Sequence, residues 1–169
     1  VRPYLQSDVP RIQGHAIMAL WEFENKNDLR EVIDGLLSQR ENEEALIAAL
    51  YAIGEVKDTF YRERLEELSH KKNVEIRMQA LIALAKINDA RAVDPLIDII
   101  FGKDEKIAQR TYGMLRRIPE ALQDNIKQVI HCEVSRRISE VIHPENIRKL
   151  EDLQSLPKKV LDRMRRWYT

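Results

Sequence analysis

Leu46-Ile-Ala-Ala-Leu50-Tyr-Ala-Ile53 and Ala80-Leu-Ile-Ala-Leu84-Ala-Lys-Ile87 share one pattern: a small or apolar residue, a leucine four positions on, and a large apolar residue three beyond that. Two looser copies flank them, Ala16-Ile-Met-Ala-Leu20-Trp-Glu-Phe23 and Thr111-Tyr-Gly-Met-Leu115-Arg-Arg-Ile118. Offsets of three and four put these residues on one stripe of a helix, and alanine within the stripe lets a neighbouring helix approach closely. The key leucines recur about every 30 to 34 residues, room for two short helices and two turns, so each copy reads as one helical hairpin.

The partner helices lie between the copies. Leu29, Val32, Ile33, Leu36 and Leu37 form one apolar set, Leu65 and Leu68 a second, Val93, Leu96, Ile97 and Ile100 a third, and Leu122, Ile126, Val129 and Ile130 a fourth. Each has helical spacing. Asn27, Asp58, Asn73 and Asp104 stand where N-caps are wanted, and Gly54 and Gly102 where helices should stop. Pro95 suits only a first helical turn, and Pro119 ends one helix and opens the next. The expected fold is all-α, a superhelix of about four to five helical pairs across residues 1–143. Pro144 and Pro157 then divide a tail, residues 144–169, into short helices that would cap the last open apolar face.

Composition agrees with this. Apolar residues are 44% and charged residues 33% of the chain, and only five glycines and six prolines interrupt it, the balance of a helical protein rather than a strand-rich one. With 28 basic and 28 acidic side chains there is no overall field toward phosphate backbones, which counts against a nucleic-acid partner. Acidic residues nevertheless gather between Glu22 and Glu67, while the end of the chain is basic. The lone cysteine, Cys132, excludes an internal disulfide and favours a cytoplasmic setting. The absence of an initial Met at Val1 reads as a piece of a longer polypeptide or a processed product.

Asn73-Val-Glu-Ile-Arg77-Met-Gln-Ala80-Leu-Ile-Ala-Leu84, followed by Asp89-Ala-Arg-Ala-Val93-Asp-Pro95-Leu96-Ile, resembles the HEAT-like repeats of the phycobilisome-lyase type, and a weaker likeness extends over roughly residues 5–143. The arginine of the Val-x-x-Arg element is present as Arg77, but Gln13, Glu43 and Ala108 fill the aligned places, which argues against a regular polar ladder between repeats. The resemblance implies an α-solenoid with a protein-binding role, and it also brings enzymes into view. Deoxyhypusine hydroxylase, a HEAT-like di-iron enzyme, uses His-Glu pairs; here His15, His70, His131 and His143 precede Ala, Lys, Cys and Pro, so that signature is missing. His131 and Cys132 are adjacent and would diverge by about 100° on a helix rather than converge. A lyase-type activity on a partner-bound tetrapyrrole has no marked pocket, and a DNA-glycosylase reading lacks a basic inner face.

The expected reading is therefore a non-catalytic scaffold, without metal or cofactor, that binds a protein or peptide on its concave face as a regulatory or assembly module. Residues at matched offsets from the key leucines define the candidate row: Ile17 and Trp21, Ile47 and Tyr51, Leu81 with Ala85, and Tyr112 with Arg116. Trp, Tyr and Arg are common interface anchors, though apolar stripes at helical spacing are more often core. Two alternatives remain: a HEAT-like enzyme or lyase-type module, and a domain attached to a membrane protein through the basic segment from Lys158 to Tyr168.

Overall fold

The structure, a computed structural model, describes residues 1–142, with side chains to residue 136. The tail helices expected after residue 143 lie outside the described residues. Residues 1–123 form one compact unit, and a second begins at Asp124.

Among the described residues the chain is entirely helical. A short 3-10 segment, Arg2–Gln6, leads into α1 (Pro10–Leu20), α2 (Lys26–Ser38), α3 (Glu43–Val56), α4 (Arg62–Ser69), α5 (Val74–Lys86), α6 (Val93–Ile100), α7 (Glu105–Met114) and α8 (Glu120–Ile142). Within the first unit α1, α3, α5 and α7 pack side by side, and α2, α4 and α6 cover one side of that layer. The repeated stripe makes these contacts: Leu20, Leu50, Leu84 and Leu115 are all buried. So are Ile53, Ile87 and Ile118 at the third position of the pattern. Phe23 is the exception at 84% exposure. It was expected to extend the stripe of α1, but that helix ends at Leu20 and a turn leads directly to the cap of α2.

Asp58, Asn73 and Asp104 each accept backbone N–H bonds at the starts of helical segments, as anticipated. The cap of α2 is Asn25 rather than Asn27, whose own N–H is the donor. Gly54 does not stop a helix. α3 continues to Val56, and Lys57 turns the chain with a φ of 54°. What Gly54 provides is proximity, since a Cβ there would lie 3.1 Å from the Ala83 Cα of α5.

A polar ladder between repeats is present, built from residues other than the Arg77 series. Lys57 (φ 54°) precedes Asp58, and Asn88 (φ 64°) precedes Asp89, so the same left-handed turn occurs twice. Asp58 caps the 3-10 turn 59–61 and takes a two-pronged bond from Arg30 of α2, Nε to Oδ2 at 2.8 Å and Nη2 to Oδ1 at 2.9 Å. Asp89 caps the turn 90–92, pairs with Arg91 at 2.8 Å and meets Arg62 of α4 at 3.6 Å. Each aspartate thus joins the start of one outer helix to the outer helix before it.

In the second unit, the described part is helical, and its ion pairs Lys127–Asp124 and Arg136–Glu133 are one turn apart on the same helix. Cys132 is exposed there.

Candidate functional site

A cavity of about 560 Å³ opens across α1, α3, α5 and α7. Each helix contributes two residues four apart, which is one face of a helix: Arg11 and His15, Ile47 and Tyr51, Glu75 and Gln79, Arg110 and Met114. Gly14 and Ala48 complete it, and an added Cβ on Gly14 would stand 3.1 Å from the Ala48 carbonyl oxygen. The small residues let α1 and α3 draw together beneath the opening.

Tyr51 is the best-held aromatic of this site. The His15 ring meets it edge-on with centroids 6.1 Å apart, and the Lys86 ammonium lies 5.2 Å from its ring centre. Lys86 is itself only 5% exposed and bonds Glu55 Oε1 at 2.6 Å. Burial pushes the Glu55 carboxyl upward, but the Lys86 ammonium and the Tyr51 hydroxyl outweigh it and hold the carboxyl below its ordinary range. Across the opening Arg110 reaches from α7 to Glu75 of α5 at 2.6 Å.

Of the residues expected in the docking row, Ile47 and Tyr51 line the cavity and are half-buried. Ile17, Trp21 and Leu81 do not belong to an accessible row: all three are buried, Trp21 to 5% exposure. Ala85 is buried with them. Tyr112 is half-buried and Arg116 exposed, and neither borders the cavity. The row assumed that one offset from the key leucine points the same way in every repeat. In α1 and α5 the residues at that offset are buried, and the cavity takes residues from the earlier turns of both helices. His15 and Gln79 were therefore missed, although their i, i+4 pairing with Arg11 and Glu75 was visible.

A second cavity, of about 590 Å³, lies where α2, α4 and the turn between α3 and α4 meet. It is more open to solvent, and the charges around it are mixed: Asp34, Glu63 and Glu67 against Arg40 and Arg64, with Arg64 already paired to Glu67. The groove across the four inner helices is the better candidate because its polar groups converge on an apolar floor. Among the described residues no three His, Cys, Asp or Glu side chains are grouped to hold a metal ion, and no helix is long and apolar enough to cross a membrane.

A family model describing HEAT repeats matches residues 29–116, from the first core leucine of α2 to just beyond α7. This chain belongs to the HEAT-repeat family. The match spans most of α2 and all of α3 to α7, and it is to HEAT repeats in general rather than to the lyase-type branch. Comparison with curated proteins gives no match. HEAT repeats generally serve as scaffolds for protein interaction.

Proposed function

We propose that this HEAT-repeat chain is a non-catalytic scaffold that holds a protein or peptide partner in the groove across α1, α3, α5 and α7, acting as a regulatory or assembly module. Tyr51 carries the reading: it is half-buried, braced by His15 and Lys86, and lines a cavity to which four successive inner helices contribute. An aromatic whose position is already determined loses little freedom on binding, and this is the usual character of an interface anchor. The single cysteine supports a cytoplasmic setting.

The test is a selection of binders from a displayed library of random peptides by the full chain, followed by titration of the selected peptides against Tyr51→Ala and Ile47→Ser. Both variants should melt near the parent temperature and bind the peptides at least roughly tenfold more weakly, the loss typical of an anchor residue. Unchanged affinities in both would remove the groove as the docking site.

A further inference from the structure

Gln79 lies on the buried central helix α5, is 3% exposed, and lines the cavity. Its carboxamide makes no side-chain hydrogen bond among the described residues. No fully occluded side-chain nitrogen or oxygen among them lacks a partner, so the amide reaches the cavity. A carboxamide this nearly buried has one open side, toward the groove, and there water or an occupant of the groove supplies its partners. A primary amide offers a donor and an acceptor side by side, the complement of one backbone N–H and C=O of an extended peptide.

The charge around Gln79 narrows the occupant further. Arg11 and Arg110 line the groove with His15, whereas its one lining carboxylate, Glu75, is engaged by Arg110 at 2.6 Å. In a chain with no net charge the groove lining therefore carries one arginine, Arg11, beyond the Arg110–Glu75 pair, next to an apolar pad of Ile47, Tyr51 and Met114. One spare arginine is too little to track a phosphate backbone, but it suits a single carboxylate.

Resting on the groove reading above, we propose that the occupant is an extended peptide segment in which an acidic side chain neighbours an apolar one. The carboxylate meets Arg11, the apolar side chain covers Ile47, Tyr51 and Met114, and Gln79 bonds the peptide backbone.

Fluorescence anisotropy of the full chain with four labelled probes tests this. Three are hexapeptides in which leucine alternates with aspartate, asparagine or lysine, and the fourth is an oligothymidylate. The aspartate peptide should bind at least roughly tenfold tighter than the asparagine peptide, the difference expected of a charge-assisted bond, and rising salt should narrow the gap. Arg11→Gln, a change on an exposed position, should abolish that difference. Gln79→Met should weaken the aspartate and asparagine peptides alike. Should Gln79→Met fail to fold, Arg11→Gln decides alone. Equal affinity for the three peptides, with binding still dependent on Tyr51, overturns the acidic preference and leaves the groove reading standing. Preference for the lysine peptide or the oligothymidylate, or no binding of the aspartate peptide at roughly 1 mM, overturns the proposal. Peptides selected from the random library would still report on the groove in that case.

Discussion

Lys86 of α5 places its ammonium 2.6 Å from Glu55 of α3 while lying 5.2 Å from the ring centre of Tyr51, so one buried cation joins two adjacent repeats and steadies the half-buried aromatic. Gly54 makes room for it, since a Cβ there would approach the Lys86 Cδ to 3.2 Å. Core packing and the presentation of the groove therefore share a residue.

Lys86→Ala should destabilise the chain by about 2–3 kcal/mol, because it opens a void beneath Tyr51 and leaves Glu55 without its cation. Lys86→Met fills most of that space, and Glu55 can turn toward solvent, so it should cost about 1 kcal/mol or less. Urea unfolding at neutral pH separates the two; equal losses would mean that the ion pair, not the volume, dominates.

Acid should weaken the parent through the same pair. The folded Glu55 carboxyl sits below its ordinary 4.5, and Asp89 sits below its ordinary 3.8 because Arg91 bonds it. A lowered folded pKa gives stability that is complete above the unfolded value and is lost as pH falls through the folded one. Unfolding free energy should thus be flat near neutrality and decline below about pH 4.5, with a shallower decline in Lys86→Met. An unchanged acid slope in that variant would take Glu55 out of the account.

The ladder aspartates can be dissected in the same way. Asp58 is buried, caps a turn and accepts both prongs of Arg30, so Asp58→Ala should cost about 2–3 kcal/mol through the lost cap and the unpaired guanidinium. Asp58→Asn keeps an acceptor for Phe60 N–H and should lose about half of that. Thermal melts of both, with Arg30→Ala to close the double-mutant cycle, show whether the coupling is real.

Helical spacing made the fold readable, because burial of one stripe per helix demands offsets of three and four wherever it occurs. Caps were readable where an Asp or Asn stood just ahead of a segment with helical spacing, as at Asp58, Asn73 and Asp104. The site was less so. Which turn of each inner helix faces the opening depends on how neighbouring helices cross, and no single sequence position encodes a crossing angle. Ile47 and Tyr51 line the cavity because α3 presents them to the opening; Gln79 lies within a helix that reads as core on every side. Glycine was ambiguous for a related reason, since close approach and a left-handed turn both favour it.

Two glycines in helix interiors should accordingly respond with opposite signs. Gly35 of α2 has nothing within 4 Å of an added Cβ, so Gly35→Ala should stabilise by about 0.5–1 kcal/mol through backbone entropy alone. At Gly54 the new methyl would press on the Ala83 backbone of the buried α5 at 3.1 Å, and Gly54→Ala should destabilise by about 1–2 kcal/mol. Melting temperatures moving in the same direction would show that α3 and α5 can part without cost.

Trp21 and Tyr51 occupy matching places in the repeat yet should fail in different ways. Trp21 closes the end of α1 at 5% exposure, with the Lys26 ammonium 5.5 Å from its ring, so Trp21→Ala removes core and should cost about 3–5 kcal/mol. Whatever fraction stays folded should retain its affinity for groove peptides. Tyr51→Ala should do the reverse, with a melting temperature within a few degrees of the parent and a large loss of binding. Measuring both quantities on both variants tests the division between core and groove: a Trp21→Ala chain that melts normally but binds poorly would put the docking surface back on the row of matched offsets.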